Sequence, residues 1–90
     1  MINARQELID HIGDREVKYV SVTLENVVTQ HVEGTLVEVL PQLDFIYDNG
    51  YGGQELYGTI WYKDGTWSDR REHDGSEWWA YRKCPELPKA

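Results

Sequence analysis

The sequence predicts an α+β fold with an antiparallel sheet of about five to six strands. An N-terminal helix and a short second helix, near residues 36–40, are expected to pack on one face of this sheet. Three patterns support this fold class. Apolar residues recur at helical spacing within residues 4–12, and β-branched residues alternate within residues 17–24. Residues 57–83 then alternate again around two Asp-Gly pairs, which is typical of a meander.

The first helix has recognisable start and stop residues. Asn3 is a suitable N-cap, and Gln6, three residues later, resembles the second member of a capping box. Gly13 can take the left-handed conformation that ends many helices. The apolar face is formed by Leu8, Ile9 and Ile12. These signals predict a helix over residues 4–12.

A strand over residues 17–24 follows, because Val20, Val22 and Leu24 alternate onto one face. Glu25 and Asn26 are expected to turn the chain into a weaker return strand at 27–32.

Residues 35–40 are compatible with a strand by composition, but a short helix is favoured. Gly34 interrupts strand character, and Thr35 and Glu38 form a capping box. Pro41 limits the helix because it lacks a backbone donor.

The remaining chain is predicted to be mostly sheet. Residues 44–47 form a strand and residues 48–54 a glycine-containing loop. The meander strands are expected at 55–63, 66–72 and 77–83. Residues 84–90 should form an extended tail of the single domain 1–90, since its two prolines cannot join a ladder.

A two-residue turn at Asp64 and Gly65 would place Trp61 opposite Ser68. A second turn of the same length would place Trp79 opposite Arg70. In that register one face carries Trp61, Trp79 and Tyr81. The other face carries Ile60, Tyr62, Trp67, Trp78 and Ala80. Both faces are therefore aromatic, although a sheet covered by helices on one side buries only one of them.

An exposed aromatic face often marks a binding site. The candidate binding residues are Trp61, Trp79, Tyr81, Arg70 and Tyr51, the last at the tip of the glycine loop. Arginine over an indole ring would add a cation–π contact. The competing interpretation is that most of these rings are core.

The charge distribution disfavours nucleic acid as a partner. The net charge is −7, and residues 1–56 hold three basic against ten acidic residues, whereas residues 57–90 hold six of each. Phosphate contacts require lysine and arginine. The acidic first part permits a basic protein partner, but simple solubility is the favoured explanation.

Catalytic and metal-binding patterns are weak. The chain has none of the common zinc or nucleophile-elbow spacings, so no catalytic residue and no cofactor is expected. Asp69, His73 and Asp74 cluster near the second turn and form a weak candidate metal site. The lone Cys84 lacks an evident base.

The expected location is the cytoplasm. A single cysteine forms no internal disulfide, and the sequence shows neither a signal peptide nor an apolar run of transmembrane length.

Residues 64–68, 74–79 and 84–88 have the sequences DGTWS, DGSEWW and CPELP. In these segments the chain resembles a family of small, uncharacterised bacteriophage and prophage proteins, and the similarity extends to residues 48–52 and 3–8. The resemblance implies a phage-type accessory protein and implies no activity, cofactor or site residue.

Together these patterns predict a non-enzymatic protein-interaction module that binds a protein partner or forms a homodimer through an aromatic sheet face. The alternatives are a carbohydrate- or small-ligand-binding module, a small metal-dependent enzyme and, less favoured by charge, a single-strand nucleic-acid binder.

Overall fold

The computed structural model describes residues 2–25, 29–47 and 53–83. The predicted α+β class is confirmed. A five-stranded antiparallel sheet has the strand order β3-β2-β5-β6-β7, and a two-stranded sheet pairs β1 with β4. The large sheet contains β2 (Val17–Leu24), β3 (Gln30–Gly34), β5 (Leu56–Tyr62), β6 (Trp67–His73) and β7 (Ser76–Arg82). The small sheet contains β1 (Ile2–Asn3) and β4 (Ile46–Tyr47).

Helix α1 (Ala4–Ile12) begins and ends as its sequence predicts. The Asn3 side chain accepts a hydrogen bond from the backbone N–H of Gln6 at 3.0 Å. Gly13, with φ of 60°, donates its N–H to the carbonyl of Ile9. Ala4, Leu8 and Ile12 form the buried stripe. The N-terminal cap is also joined to the rest of the fold, because the Asn3 amide donates to Asp44.

The second helix, α2 (Leu36–Val39), contains the predicted capping box between Thr35 and Glu38. It continues into a 3₁₀ turn (Leu40–Leu43) in which Pro41 occupies an early position that needs no N–H donor. Glu38 receives the backbone N–H and the hydroxyl of Thr35, and these bonds lower the pKa of the Glu38 carboxyl.

One face of the large sheet packs on the helices and forms the core. Val20, Val22 and Leu24 of β2 lie on this face, as predicted. A bulge at Lys18 brings Val17 to the same side. The return strand starts later than predicted, at Gln30, and residues 26–28 lie outside the described residues. The core consists of Ala4, Leu8, Ile12, Val20, Val22, Leu24, Val39, Leu43, Tyr47, Leu56, Ile60, Tyr62 and Trp79.

The first meander turn is longer than predicted, and this corrects the register. Trp61 pairs with Trp67 and Ile60 with Ser68, so the loop has one residue more than a two-residue turn. A type I′ turn needs positive φ at both central residues, but only Gly65 has it here, at 89°. The Asp64 carboxylate accepts hydrogen bonds from the Thr66 N–H and hydroxyl and stabilises the longer loop.

The second turn confirms the prediction. Asp74 and Gly75 have φ of 52° and 88°, as a type I′ turn requires. Arg70 pairs with Trp79 and Arg71 with Trp78. Combined with the corrected first turn, this register separates Trp61 from Trp79 and Tyr81, so the prediction that these three share a face was wrong.

Gly58 allows β5 to lie close to β2. A Cβ atom at this position would be 2.3 Å from the carbonyl oxygen of Ser21 and 3.2 Å from the Trp79 ring. A backbone carbonyl cannot move without disturbing the ladder, so alanine does not fit here.

Gly58→Ala should therefore lower the free energy of unfolding by about 1–3 kcal/mol, the usual cost of overpacking. The measurement is urea denaturation followed by tryptophan fluorescence. Gly53→Ala is the matched control, because nothing lies within 4 Å of an added Cβ there. Equal stability of the two variants would contradict the close approach of β5 and β2.

Candidate functional site

The face of the large sheet opposite the helices carries most of the exposed aromatic surface. We call it the open face and define it by the side chains that alternate away from the core on the five strands. Across the strands these are Glu33 and His31 on β3; Tyr19, Ser21 and Thr23 on β2; Tyr57, Thr59 and Trp61 on β5; Trp67, Asp69 and Arg71 on β6; and Trp78, Ala80 and Arg82 on β7.

Aromatic rings lie at both ends of the open face. Tyr19, Trp61 and Trp67 are successive partners across β2, β5 and β6, and Tyr57 and Trp78 lie towards the other end. Tyr19, Tyr57, Trp61 and Trp78 are 39%, 39%, 41% and 42% exposed. Rings this large are normally buried or occupied at an interface. The exposed aromatic surface is therefore a candidate binding surface.

The open face has opposite charges at its two sides. On the β6 and β7 side, Asp69 contacts Arg71 at 3.3 Å and Arg82 at 3.5 Å, so two guanidinium groups share one carboxylate. On the β3 side, Glu33 lies 3.7 Å from His31. Desolvation raises the pKa of the Tyr19 hydroxyl, and the negative charge of nearby Glu33 raises it further.

The structure places the predicted site residues in three environments. Trp61 lies on the open face. Trp79 and Arg70 are buried on the opposite face, 5% and 8% exposed. Tyr81 is also on that opposite face, where its ring stacks under the Arg15 guanidinium at 4.1 Å. Tyr51 lies outside the described residues. The sequence-based prediction missed Trp78 because the first turn set the wrong register. It also left out Tyr19 and Tyr57, which lie on the same side of the sheet as Trp61 whatever the length of that turn.

Arg70 is the centre of a buried polar cluster. Its guanidinium donates to Glu7 at 3.2 Å, to the Tyr47 hydroxyl at 2.9 Å and to Glu77 at 2.5 Å. Tyr47 in turn donates to Glu7. The Arg70 side chain is 1% exposed and the Glu77 side chain is fully buried. The cluster therefore joins α1, β4, β6 and β7 in one desolvated network.

Aromatic rings complete the surroundings of this guanidinium. Its central carbon lies 5.1 Å from the Trp79 ring centroid and 5.8 Å from that of Tyr47. In the described part of the chain, Nε of Arg70 and Nε1 of Trp79 are buried without a hydrogen-bond partner. Burial and the bond to Glu7 raise the pKa of Tyr47 far above its ordinary value, so its hydroxyl remains a donor.

Glu77 also holds the start of β5. Its carboxylate accepts the backbone N–H of Glu55 at 2.8 Å and that of Leu56 at 3.0 Å. The pairing of β5 with β6 ends at Thr59 and Asp69, so the first residues of β5 lack β6 partners. Glu77 supplies an acceptor for Leu56, the first residue of β5, and for Glu55 just before it. The arrangement is structural, because no charge of this cluster reaches the open face.

A second buried chain of hydrogen bonds joins α1 to the sheet. The Nε2 atom of His11 lies 2.8 Å from the Ser68 hydroxyl, which lies 2.7 Å from the Tyr62 hydroxyl. A histidine beside a serine is also the geometry of an activated nucleophile. Ser68 is fully buried, however, so a substrate has no access to its oxygen. This contact is a structural link between helix and sheet.

An open pocket of 210 Å³ lies at the first meander turn and is lined by Arg15, Glu16, Tyr62, Lys63 and Asp64. Arg15 already donates to the carbonyl of His11 at 2.8 Å. Two basic and two acidic side chains face the pocket, so it selects neither an anion nor a cation.

The candidate metal residues do not assemble. Within residues 2–25, 29–47 and 53–83, no three histidine, cysteine or carboxylate side chains are placed to hold an ion. Asp69 contacts two arginines, and His73 and Asp74 are exposed at the second turn. Cys84 lies outside the described residues.

Comparisons with known proteins add no relative. No protein-family model matches the chain, and neither the curated proteins nor the solved structures contain a significant match. No helix in the described ranges is long and apolar enough to cross a membrane.

Removing the charge of Arg70 should destabilise the fold strongly. In Arg70→Met, the buried Glu77 loses its cationic partner, which typically costs about 3–5 kcal/mol. Arg71→Met is the matched control, because Arg71 is the next residue on the same strand and half-exposed, and it should change stability by less than about 1 kcal/mol. Denaturant unfolding measures both, and similar losses would contradict the central role of Arg70.

The pKa of His11 should be lowered in the folded protein. Burial is the main cause, and the neighbouring Arg15 charge adds to it. The unfolded chain then binds more protons just below its histidine pKa of about 6.5, so the free energy of unfolding should fall as the pH drops through that range. NMR titration should find this ring titrating below pH 6.5, and His11→Gln should weaken the acid-side loss. An unshifted ring would contradict the burial of His11 between α1 and the sheet.

Proposed function

We propose that this chain is a non-enzymatic protein-binding module, of the phage accessory type and acting in the cytoplasm, that binds its partner through the open face. The observation that carries the proposal is the exposure of four large rings on one sheet face, each about two-fifths accessible. Interface centres are enriched in tryptophan, tyrosine and arginine, and the open face combines all three.

The buried polar groups support a binding role over a catalytic one. The strongest clusters of ionisable groups, around Arg70 and around His11, are desolvated on the core side of the sheet. Both clusters link α1 to β6, so their polar groups hold the scaffold together. The rigid sheet then displays the aromatic rings at fixed positions, which lowers the entropic cost of binding.

The geometry favours protein over nucleic acid or sugar. Arg71 and Arg82 share the Asp69 carboxylate, so together the three residues contribute one net positive charge, too little for a series of phosphates. The rings of Tyr19 and Trp61 are tilted by 55° to each other. They therefore do not form the flat platform on which a sugar ring or successive bases would stack.

Replacement of the open-face tryptophans tests the proposal. Trp61→Ser combined with Trp78→Ser should weaken binding at least 30-fold, about 2 kcal/mol, because hot-spot rings carry most of an interface's energy. Protein captured from bacterial lysate by the wild-type chain is identified, purified and titrated against both forms by calorimetry.

Tyr81→Ser is the control, because Tyr81 is similarly exposed but lies on the opposite face. Circular dichroism checks that each variant folds. The proposed function would be contradicted if the double variant bound with full affinity. It would also be contradicted if the wild type bound neither another protein nor a second copy of itself.

A further inference from the structure

We propose that the occupant of the open face is a second copy of this chain, stacked face to face about a two-fold axis that runs along β5. This inference rests on the proposed function, since it assigns a partner to the same surface. It follows from the arrangement of charge on the open face and from the size of that face.

The charge arrangement is self-complementary. Glu33 is a negative charge on the edge strand β3. At the other side, on β6 and β7, the cluster of Asp69, Arg71 and Arg82 carries one net positive charge. A two-fold interface brings a surface onto itself, so a patch that is negative on one side and positive on the other can pair with its own copy. A face that carried charge of only one sign would repel its own copy.

The strand order selects one of the two possible axes. Because β5 is the middle strand, an axis along it places β3 over β7 of the other copy and β2 over β6. Glu33 then faces Ala80, next to Arg82, on the other copy. An axis across the strands would instead place Glu33 over Glu33 and Asp69 over Asp69, which like-charge repulsion disfavours.

The same axis matches the other side chains of the open face. The pairing register sets Tyr19, Trp61 and Trp67 in one row and Ser21, Thr59 and Asp69 in the next. Rotation about β5 places the Tyr19 ring against Trp67 of the other copy and the Ser21 hydroxyl against Asp69. Aromatic rings meet aromatic rings, and a hydroxyl donor meets a carboxylate.

The area is sufficient for a reversible dimer. Five strands spaced about 4.8 Å apart and averaging about seven residues, at about 3.3 Å each, span roughly 24 by 23 Å. Two such faces bury roughly 1,100 Å², just above the lower limit of about 1,000 Å² for a specific interface. Sheets stacked in this way keep their strands aligned within about 30°. We therefore expect a dimer that dissociates on dilution.

Charge reversal at the two sides tests the arrangement. Sedimentation equilibrium at low ionic strength should find a concentration-dependent dimer for the wild type. Glu33→Arg and Arg82→Glu, each alone, should raise the dimer dissociation constant about tenfold, because each places like charges at two symmetry-related positions. An equimolar mixture of the two variants should regain dimer, because in the mixed pair every facing charge is again opposite.

Arg5→Glu is the control, since Arg5 is exposed on α1 away from the open face, and it should leave the dissociation constant unchanged. Trp61→Ser, on the axis itself, should reduce self-association at every concentration. A wild type that stays monomeric throughout, or a dimer that none of the open-face changes weakens, would overturn the inference.

The two proposals fail separately. A monomeric wild type whose capture of another protein is lost on replacing Trp61 and Trp78 would overturn the dimer and uphold the proposed function. A dimer weakened by both charge reversals and restored by their mixture would uphold both. A chain that binds neither itself nor another protein would overturn both.

Discussion

The buried guanidinium of Arg70 fixes the position of every element around it. It contacts Glu7 on α1, Tyr47 on β4 and Glu77 on β7, while its own strand is β6. Burying a charge is costly unless the charge is paired and hydrogen-bonded. Movement of any one of these four elements would remove at least one hydrogen bond from this desolvated network, so the network favours a single arrangement of helix and sheet. Glu77 extends this control to β5 through two backbone N–H groups.

This arrangement buries a cluster of charges and leaves four large aromatic rings exposed on the open face, the reverse of the usual distribution. Trp79 and Tyr62 are core residues, whereas Trp61 and Trp78, their immediate neighbours in sequence, are exposed on the open face. The helices cover only one side of the sheet, so the second set of rings has no cover among the described elements. An apolar surface on a rigid scaffold is what a protein interface requires, and the two sides of opposite charge give it an orientation.

Local signals predicted much of the fold. Asn3 and Gly13 mark the ends of α1, Thr35 and Glu38 cap α2, and Asp74 with Gly75 forms the expected turn, because each acts through backbone groups a few residues away. The predicted length of the turn at Asp64 was wrong, because the same Asp-Gly dipeptide also fits a longer loop when Thr66 donates a hydrogen bond to the Asp64 carboxylate.

That one additional residue in the loop moves the side chains of β6 and β7 to the opposite face relative to β5, because side chains alternate with a period of two. Trp67 and Trp78 therefore share a face with Trp61, and Trp79 does not. The predicted register paired Arg70 with Trp79 correctly. It did not predict that the pair is buried, because that burial depends on Glu7 and Tyr47 from distant parts of the sequence. Long-range ion pairs of this kind leave no local pattern. The resemblance to phage proteins stays a prediction.

Hydroxyl-radical footprinting of the tryptophans, read residue by residue in dilute and in concentrated protein, tests the central claim most directly. Trp61 and Trp78 should be oxidised readily in the dilute protein and become protected when the open face is occupied. Trp79 should resist oxidation under both conditions, because it lies in the core. Protection of Trp61 and Trp78 that does not change with concentration, or with any added protein partner, would contradict the assignment of the open face as the binding surface.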